Sequence, residues 1–538
     1  MSEFSKLNGY DVKDKKAIRY YLNVNDMKSD STLKEGMLVE TKGYYNSNDG
    51  GSSKYSIVND SNLSEDNGSI HEIINGLFAI LINDGTVNVK QFGAYGDGIH
   101  DDTLSIQKAI DTFDNIVIDK GTYIFTNIIL KENKKLSGNG TLKVKDNLCV
   151  DNTQTYYLII MQSNSIIEGL TIDGNKENNT SYRVADLITT MGDNLIIRNN
   201  KLINVIDSGI MFSETINSVC EGNIIKDSTD CGIYCNNNNT DKKMNSVIRN
   251  NIIKNAGSSG ISMKRGCRYL NIEYNILTDC TNGITSENAN TNIDFSKEFN
   301  IIGNTIMATA IKTTGIDTRG GYLGNIKDNR IYNYKFGITV QGSHDLNILN
   351  NIIELYSSEE LTSHSVGIAL TGRTGTAFNY IYNINVENNI LNMNYYNIST
   401  YYQRCIHVYS SDNTSGINII GNKINGNTYA TGISSSAQVN DMVIKNNVIN
   451  VGDKAILTQG INLYADNTII SGTYQPSFNN YFAKDQQHRY FTANSNVAPT
   501  PSSNYINGDI VFNRYGSLGT VFAYQYDGTQ FKTVSFDN

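Results

Sequence analysis

One phrase, apolar-x-x-Asn-x-Ile/Leu, returns along the middle of this 538-residue chain and leaves few folds open to it. It reads IIRNNKLI (196–203), CEGNII (220–225), VIRNNII (247–253), NIEYNIL (271–277), NIIGNTI (300–306), NIKDNRI (325–331), NILNNII (347–353), NVENNIL (385–391), NIIGNKI (418–424) and VIKNNVI (443–449). Its central Asn falls at 200, 223, 251, 275, 304, 329, 351, 389, 422 and 447, with gaps mostly of 22 to 29 residues and two of 38 and 33. A second phrase, Gly-Ile followed by alternating residues, keeps step with it: SGIMFS from 208, CGIYCN from 231, SGISMK from 259, NGITSE from 282, TGIDTR from 314, FGITVQ from 336 and VGIALT from 366. RCIHVY (404), TGISSS (431) and KAILTQ (454) continue the series more loosely. Two alternating strand phrases per period, divided by Asn and Gly turns, exclude helical hairpins. They predict a parallel β-solenoid of about a dozen coils, each pairing with the next at about 4.8 Å. The repeated Asn has a structural role: it tolerates left-handed turns, and stacked amides hydrogen-bond along a column.

Composition fits that architecture. The chain holds 76 Asn and 45 Gly but three Pro, a mixture suited to many tight turns. A formal charge of -9 argues against nucleic-acid and anionic-membrane partners, which select for clustered Lys and Arg. No apolar run is long enough to span a bilayer, and the polar start, Met1 to Tyr20, argues against Sec export. The seven Cys (149, 220, 231, 235, 267, 280, 405) follow no framework and read as buried thiols. Cys231 and Cys235 lack partners at zinc spacing, so no metal site is expected.

Ahead of the repeats, residues 87–125 carry VNVKQFGAYGDGIHDDTLSIQKAIDTFDNIVIDKGTYIF. Asp101 or Asp102 caps a predicted helix bearing Leu104, Ile106, Ala109, Ile110 and Phe113, and a helix there protects the open end of a solenoid. Asp97, Asp101 and Asp102 fail the spacing of a calcium-binding hand and serve the turn and cap. FGAYGDGIHDDTLSIQKAID resembles the opening signature of the pectate-lyase-like superfamily, whose members are right-handed parallel β-helices common in bacteriophage tail spikes. EGMLVETKGYYNSNDGGSSKYSIV (35–58) is similar to the head regions of those phage proteins, and NGYDVKDKKAI (8–18) resembles the start of phage tail and appendage proteins. The resemblance covers about residues 1–475 and implies a head at 1–84 that attaches to phage tail or baseplate proteins and a glycan-bearing β-helix at 85–475. Beyond it, the three Pro and the alternation in NYINGDIVFN and GTVFAYQYDGTQFKTVSF read as a linker with a small C-terminal β module at 476–538, so the chain is all-β in three parts. The linker is NSNVAPTPSS (494–503), and the module serves trimerisation or sugar binding. The resemblance also implies a homotrimer in the virion, assembled in the host cytoplasm.

No nucleophile elbow, phosphate loop or HExxH is present, so the solenoid itself serves as a ruler. With Ile of each Gly-Ile strand inward, the residues one and three places on face outward. This sets Tyr234, Lys264, Glu287, Asp317, Arg319, Gln341, His407 and Tyr409 on one stripe. Glu287 and Asp317 fall on neighbouring coils offset by two residues, and make the expected catalytic pair of a glycosidase: one acid for the leaving oxygen, one carboxylate for water. Lys264, Arg319, Tyr234, Gln341, His407 and Tyr409 are the expected substrate-binding residues, with no cofactor required. Cross-coil ion pairs, Lys264 to Glu287 and Glu287 to Arg319, are the structural reading of the same residues. Asp207, Asp230, Asp294, Glu354 and Asp412 are substitutes should the register slip, and His407 as general base competes with a hydrogen-bonded surface histidine. Three functions fit: a tail spike hydrolysing capsule, exopolysaccharide or teichoic acid; a lyase using Arg319 or Lys264 as base with calcium; and a spike that binds its receptor glycan without cleaving it.

Overall fold

In the computed structural model the two repeated phrases become two families of parallel strands. The structure describes residues 6–7, 10–11, 18–237, 242–287, 296–357, 363–372, 379–395, 403–409, 413–439, 441–459, 463–474, 480–484, 489–493, 510–513, 523–527 and 529–534. The chain divides into two compact units, Met1–Thr229 and Asp230–Asn538.

The first unit opens with a five-stranded sheet in the order Arg19–Tyr21, Leu38–Thr41, Ser53–Val58, Phe78–Ile82, Ile70–Glu72. Its first pair is parallel and the others antiparallel. Coils begin at Thr86–Asn88, which pairs in parallel with Asn115–Ile118, and continue through Lys135–Gly138, Ile166–Glu168, Ile196–Arg198 and Val219–Glu221. The helix Thr103–Thr112 lies over these early coils with Ile106, Ala109 and Ile110 buried. Gln107 fastens it there: its Oε1 accepts the Ile129 N–H at 2.9 Å and its Nε2 donates to the Ile129 carbonyl at 3.1 Å. The helix forms as expected, and of the two capping candidates Asp101 is the one that serves. Leu104, at the helix start, is 74% exposed. Asp102 occupies the N-cap position without bonding the helix, because its carboxylate accepts the N–H groups of Tyr95 and Gly96 and pins the preceding turn. Asp101 caps instead, accepting the Thr103 N–H and hydroxyl.

In the second unit the Asn phrases form one parallel ladder, from Ser246–Arg249 through Leu270–Glu273, Asn300–Ile302, Tyr322–Lys327, His344–Leu349, Tyr380–Glu387 and Asn413–Ile420 to Met442–Lys445. The Gly-Ile phrases form another. This is a right-handed parallel β-helix. The repeated Asn does one of the two jobs expected of it. The left-handed turn belongs to the residue before it: Asn199 (φ 56), Asn250 (φ 55), Tyr274 (φ 55), Asp328 (φ 58), Asn350 (φ 56), Asn388 (φ 55) and Asn446 (φ 57). That bend drives the ladder Asn into the core, where it is fully buried. Each one is then satisfied by the adjacent coils. Asn304 donates its backbone N–H and its side-chain amide to Asn329 Oδ1, both at 3.0 Å, and the amide also reaches the Ile272 carbonyl at 2.9 Å. The same pattern links Asn251, Asn275, Asn304, Asn329, Asn351, Asn389, Asn422, Asn447 and Asn467, and in the first unit Asn200 with Asn223.

The glycine of the Gly-Ile phrase has a different cause. A Cβ on Gly315 would stand 2.7 Å from the Gly337 carbonyl oxygen and 2.5 Å from Ile331, and one on Gly337 would stand 2.5 Å from the Gly367 carbonyl oxygen. Consecutive coils approach too closely there for any side chain. All seven cysteines are free and buried, and burial raises those thiols whose titration departs from the ordinary value, Cys220 and Cys267 up to about 12. The proposed linker at 494–503 lies outside the described residues. Near the C-terminus, Ala523–Tyr526 and Phe531–Val534 pair antiparallel around a turn that the Asp527 carboxylate holds through the Thr529 and Gln530 N–H groups.

Asn304→Ala would remove the acceptor of the Asn275 N–H and of one of its two amide hydrogens, and the amide that reaches the Ile272 carbonyl, and each buried donor left unpaired costs about 1–3 kcal/mol. Its unfolding midpoint is therefore expected to fall sharply in a thermal or denaturant melt, whereas Asn152→Ala, at an exposed position outside the left-handed region, should change it little.

Candidate functional site

The Gly-Ile strands of the second unit are Ile233–Asn236, Ser259–Lys264, Asn282–Glu287, Thr305–Arg319, Arg330–Gln341, Ser365–Thr371, Gln403–Val408 and Ala430–Gln438. Their register is continuous. One column runs Tyr234, Ser262, Thr285, Asp317, Thr339, Ala369, His407, Ser434. Two residues further along each strand, a second column takes Asn236, Lys264 and Glu287, then Arg319, Gln341 and Thr371. Thr285 pairs with Asp317, so Glu287 and Asp317 stand one coil and two residues apart, about 8 Å between Cα atoms. The Glu287 side chain lies outside the described residues, as do Asp294 and Asp412.

The first column is closed over rather than open. Asp317 is 4% exposed and His407 1% exposed. Side chains of the second column and of the neighbouring coils cover them. Arg319 Nε donates to Asp317 Oδ2 at 2.8 Å and its Nη2 lies 2.7 Å from the same oxygen. Gln341 Nε2 donates to Asp317 Oδ1 at 3.1 Å. Among the described residues Arg319 thus pairs along its own strand with Asp317. Lys264 sits over the Tyr234 ring, its Nζ 5.2 Å from the centroid. Two acceptors in this region are buried without a hydrogen-bond partner among the described residues: Thr339 Oγ1, on the coil beside Asp317, and Asn236 Oδ1, beside Lys264. Unpartnered buried oxygens on a polar face mark places where a water or sugar hydroxyl would bind.

His407 departs from the expected surface histidine. Arg404 Nη1 lies 2.7 Å from His407 Nε2 and Ser434 Oγ lies 2.7 Å from Nδ1. A guanidinium only donates, so Nε2 is the acceptor and the ring carries its proton on Nδ1. The Tyr409 ring meets the imidazole edge-on at 4.2 Å. Burial first, and the Arg404 charge second, pull the imidazole down to about 3. It is neutral near pH 7, with its lone pair already taken. Of the substitutes, Asp207 is tied to the Ala185 N–H and Glu354 to the Asn392 amide.

Two cross-coil features escaped the sequence reading. A second amide ladder, half-buried, runs through Asn271, Asn300, Asn325, Asn347, Asn385 and Asn418. Its signal is the Asn that opens six of the ten repeats. Tyr322, His344 and Tyr382 stack on successive coils, with centroids 4.9 and 4.5 Å apart and Lys297 Nζ 5.8 Å from the Tyr322 ring. They stand outside both phrases yet keep step with them, each seven residues ahead of a ladder Asn (329, 351, 389), a signal hidden by the change of residue type.

Residues 86–301 match the family model described as rhamnogalacturonase A/epimerase, pectate lyase-like. Among solved structures, the chain resembles the A-module of mannuronan C-5 epimerase AlgE6 from Azotobacter vinelandii: 16% identity, 72% of this chain and 99% of that chain covered, TM-score 0.52. It also resembles the enzymatically active domain of tailspike protein 2 of bacteriophage CBA120, at 14% identity, with 75% of this chain and 57% of that chain covered and a TM-score of 0.41. A third is tailspike gp49 of Acinetobacter baumannii bacteriophage Fri1, a capsular polysaccharide depolymerase: 9% identity, 86% and 76% covered, TM-score 0.35. These likenesses are likenesses of fold. No curated protein matches the sequence.

The depressed imidazole gives a sign-specific pH effect. A group held neutral in the fold contributes stability above its ordinary value of 6.5, and that contribution is lost as pH falls toward about 3. Melts across that window should show a steeper acid loss for wild type than for His407→Gln; parallel curves would contradict the buried neutral imidazole.

Proposed function

We propose that the protein is a phage tail spike that binds and depolymerises a bacterial surface polysaccharide (capsule, exopolysaccharide or teichoic acid). Cleavage is by hydrolysis between Glu287 and Asp317, without a cofactor. The observation that carries the reading is the buried Asp317 carboxylate, clasped by Arg319 and Gln341 and bordered by the unpartnered Thr339 hydroxyl, one coil from Glu287. Two cationic or amide donors on one carboxylate favour its ionised form, which suits the group that activates water. Glu287 is assigned the acid that protonates the leaving oxygen, and a separation of about 8 Å between Cα atoms spans both retaining and inverting arrangements. Lys264 and Tyr234, paired in a cation–π contact, form a surface for a sugar ring on the same face, with Gln341 and Tyr409 further along it. In this reading residues 1–84 attach the spike to tail or baseplate proteins, three chains assemble in the virion, and the C-terminal module holds the trimer or binds sugar.

A second reading keeps the spike and removes the chemistry. Both Asp317 oxygens are engaged within the chain, as in a structural ion pair, and this favours a receptor-binding surface that grips glycan without cleaving it. The lyase alternative assigns Arg319 or Lys264 as base and calcium beside a uronate. Among the described residues no three His, Cys, Asp or Glu side chains converge as metal ligands.

Asp317→Asn and Glu287→Gln are each expected to lower the release of reducing ends from host surface polysaccharide by about a hundredfold or more while the protein stays folded. Ultraviolet absorbance of an unsaturated uronate would move the chemistry to elimination. Cleavage surviving both substitutions would remove this pair from the mechanism, and binding without cleavage by wild type would leave the receptor-binding spike.

A further inference from the structure

A second polar feature lies on the same coils, ahead of the Gly-Ile strands, where the chain turns the corner into them. A groove of about 510 Å³ is lined there by Lys254, Asn255, Asp279, Thr281, Thr309 and Lys312, among others. Its three walls come from three consecutive coils. Lys254 pairs in register with Thr278, the residue before Asp279, and Thr278 pairs with Met307 on the strand that carries Thr309 and Lys312. Lys254 and Lys312 therefore stand two coil steps apart, about 10 Å along the stack.

The floor is rigid. Ala256 and Cys280 are buried beneath it, and the buried Tyr334 donates its hydroxyl to the Cys280 carbonyl at 3.0 Å. The single carboxylate in the groove is committed to the fold: Asp279 Oδ1 accepts the Thr309 N–H at 2.7 Å and the Thr309 hydroxyl at 2.8 Å, fixing the wall that carries Lys312. Both ammonium groups act on this carboxylate through space, yet among the described residues neither Lys254 nor Lys312 closes an ion pair or a hydrogen bond. Two unpaired cations facing one committed anion leave the groove with a net positive charge in a chain of net charge -9. A cation without a partner at the edge of a rigid concave site is free to take an anionic ligand without breaking anything.

We infer that this groove is an anionic-sugar subsite, in which Lys254 and Lys312 bracket the carboxylate of a uronate or the phosphate of a phosphodiester-linked saccharide. Asn255 and Thr281 supply polar contacts for its hydroxyls. Lys312 and Asp317 lie on one strand, Thr305–Arg319, at most about 17 Å apart, so an acidic polymer held here reaches the Asp317 stripe within a few residues. The inference rests on the glycan-binding reading only in taking the ligand to be a saccharide.

The test is binding of the full chain to three probes, namely polygalacturonate oligomers, a glycerol-phosphate polymer and neutral dextran, measured by calorimetry over a salt series without reference to cleavage. At least one acidic probe is expected to bind, more weakly as salt rises, and dextran to bind no better than background. Lys254→Gln/Lys312→Gln should weaken that binding by about tenfold or more, with an unchanged melting curve, and the exposed control Lys120→Gln should leave it intact. Binding of the carboxylate probe alone, or of the phosphate probe alone, assigns the anion. Failure of both acidic probes at low salt, or equal binding by the double variant, overturns the subsite while leaving hydrolysis at Asp317 to its own assay. Binding without any cleavage has the opposite meaning: it retains the subsite and removes the depolymerase.

Discussion

The register between coils rests on one buried asparagine amide per turn of the solenoid. An amide has one oxygen and two N–H groups, and here the oxygen takes both the backbone N–H and the side-chain amide of the preceding coil. Its own N–H groups reach the following coil's oxygen and a strand carbonyl. Such an arrangement has a single solution. A slip of one residue would put the left-handed residue, or a neighbour such as Lys201, Ile252 or Arg330, at the ladder position and leave several buried polar groups unpaired, a cost that apolar packing alone would not impose. The left-handed residue just ahead of each Asn is what turns it inward, so Asn, Asp and Gly at that neighbouring place are as much a part of the device as the ladder itself.

Fixed register is what gives the outer surface a meaning. Because every coil is locked to the next, residues separated by 20 to 40 positions in sequence form straight columns, and side chains two places apart on neighbouring strands meet diagonally. Asp317, Arg319 and Gln341 come together that way without any loop being required to hold them. The same locking carries Lys254, Asp279 and Lys312 to one groove. A linear polymer is the natural partner of such a surface, since the surface repeats at about 4.8 Å and offers successive polar contacts along a line.

Much of this was legible in the sequence because the two phrases are local and periodic. The parallel strands, the ladder positions, the inward Ile and the two-residue offset between Glu287 and Asp317 follow from spacing alone. What spacing does not encode is cover. Asp317 and His407 point away from the core as expected and are nonetheless buried, because Arg319, Gln341, Arg404 and Tyr409 fold down over them. Long side chains choose such contacts by rotamer, and no periodicity reports a rotamer. The capping aspartates show the same limit. Asp101 and Asp102 are adjacent and chemically identical, yet one caps the helix while the other clamps the turn at Tyr95 and Gly96, a division decided by backbone direction. The Tyr322, His344 and Tyr382 stack was missed for a third reason: its members lie in register on ladder strands, each seven residues before a ladder Asn, but Tyr and His alternate there and make no repeated phrase.

The most direct test of the account is a structure of the Asp317→Asn protein with a bound oligosaccharide from a susceptible host surface glycan. The account predicts sugar density across the coils between Ser259–Lys264 and Arg330–Gln341, with a glycosidic oxygen beside residue 317 and a hydroxyl or water on Thr339 Oγ1. Saccharide bound on another face of the coils, with the 317–341 contact undisturbed, would contradict it.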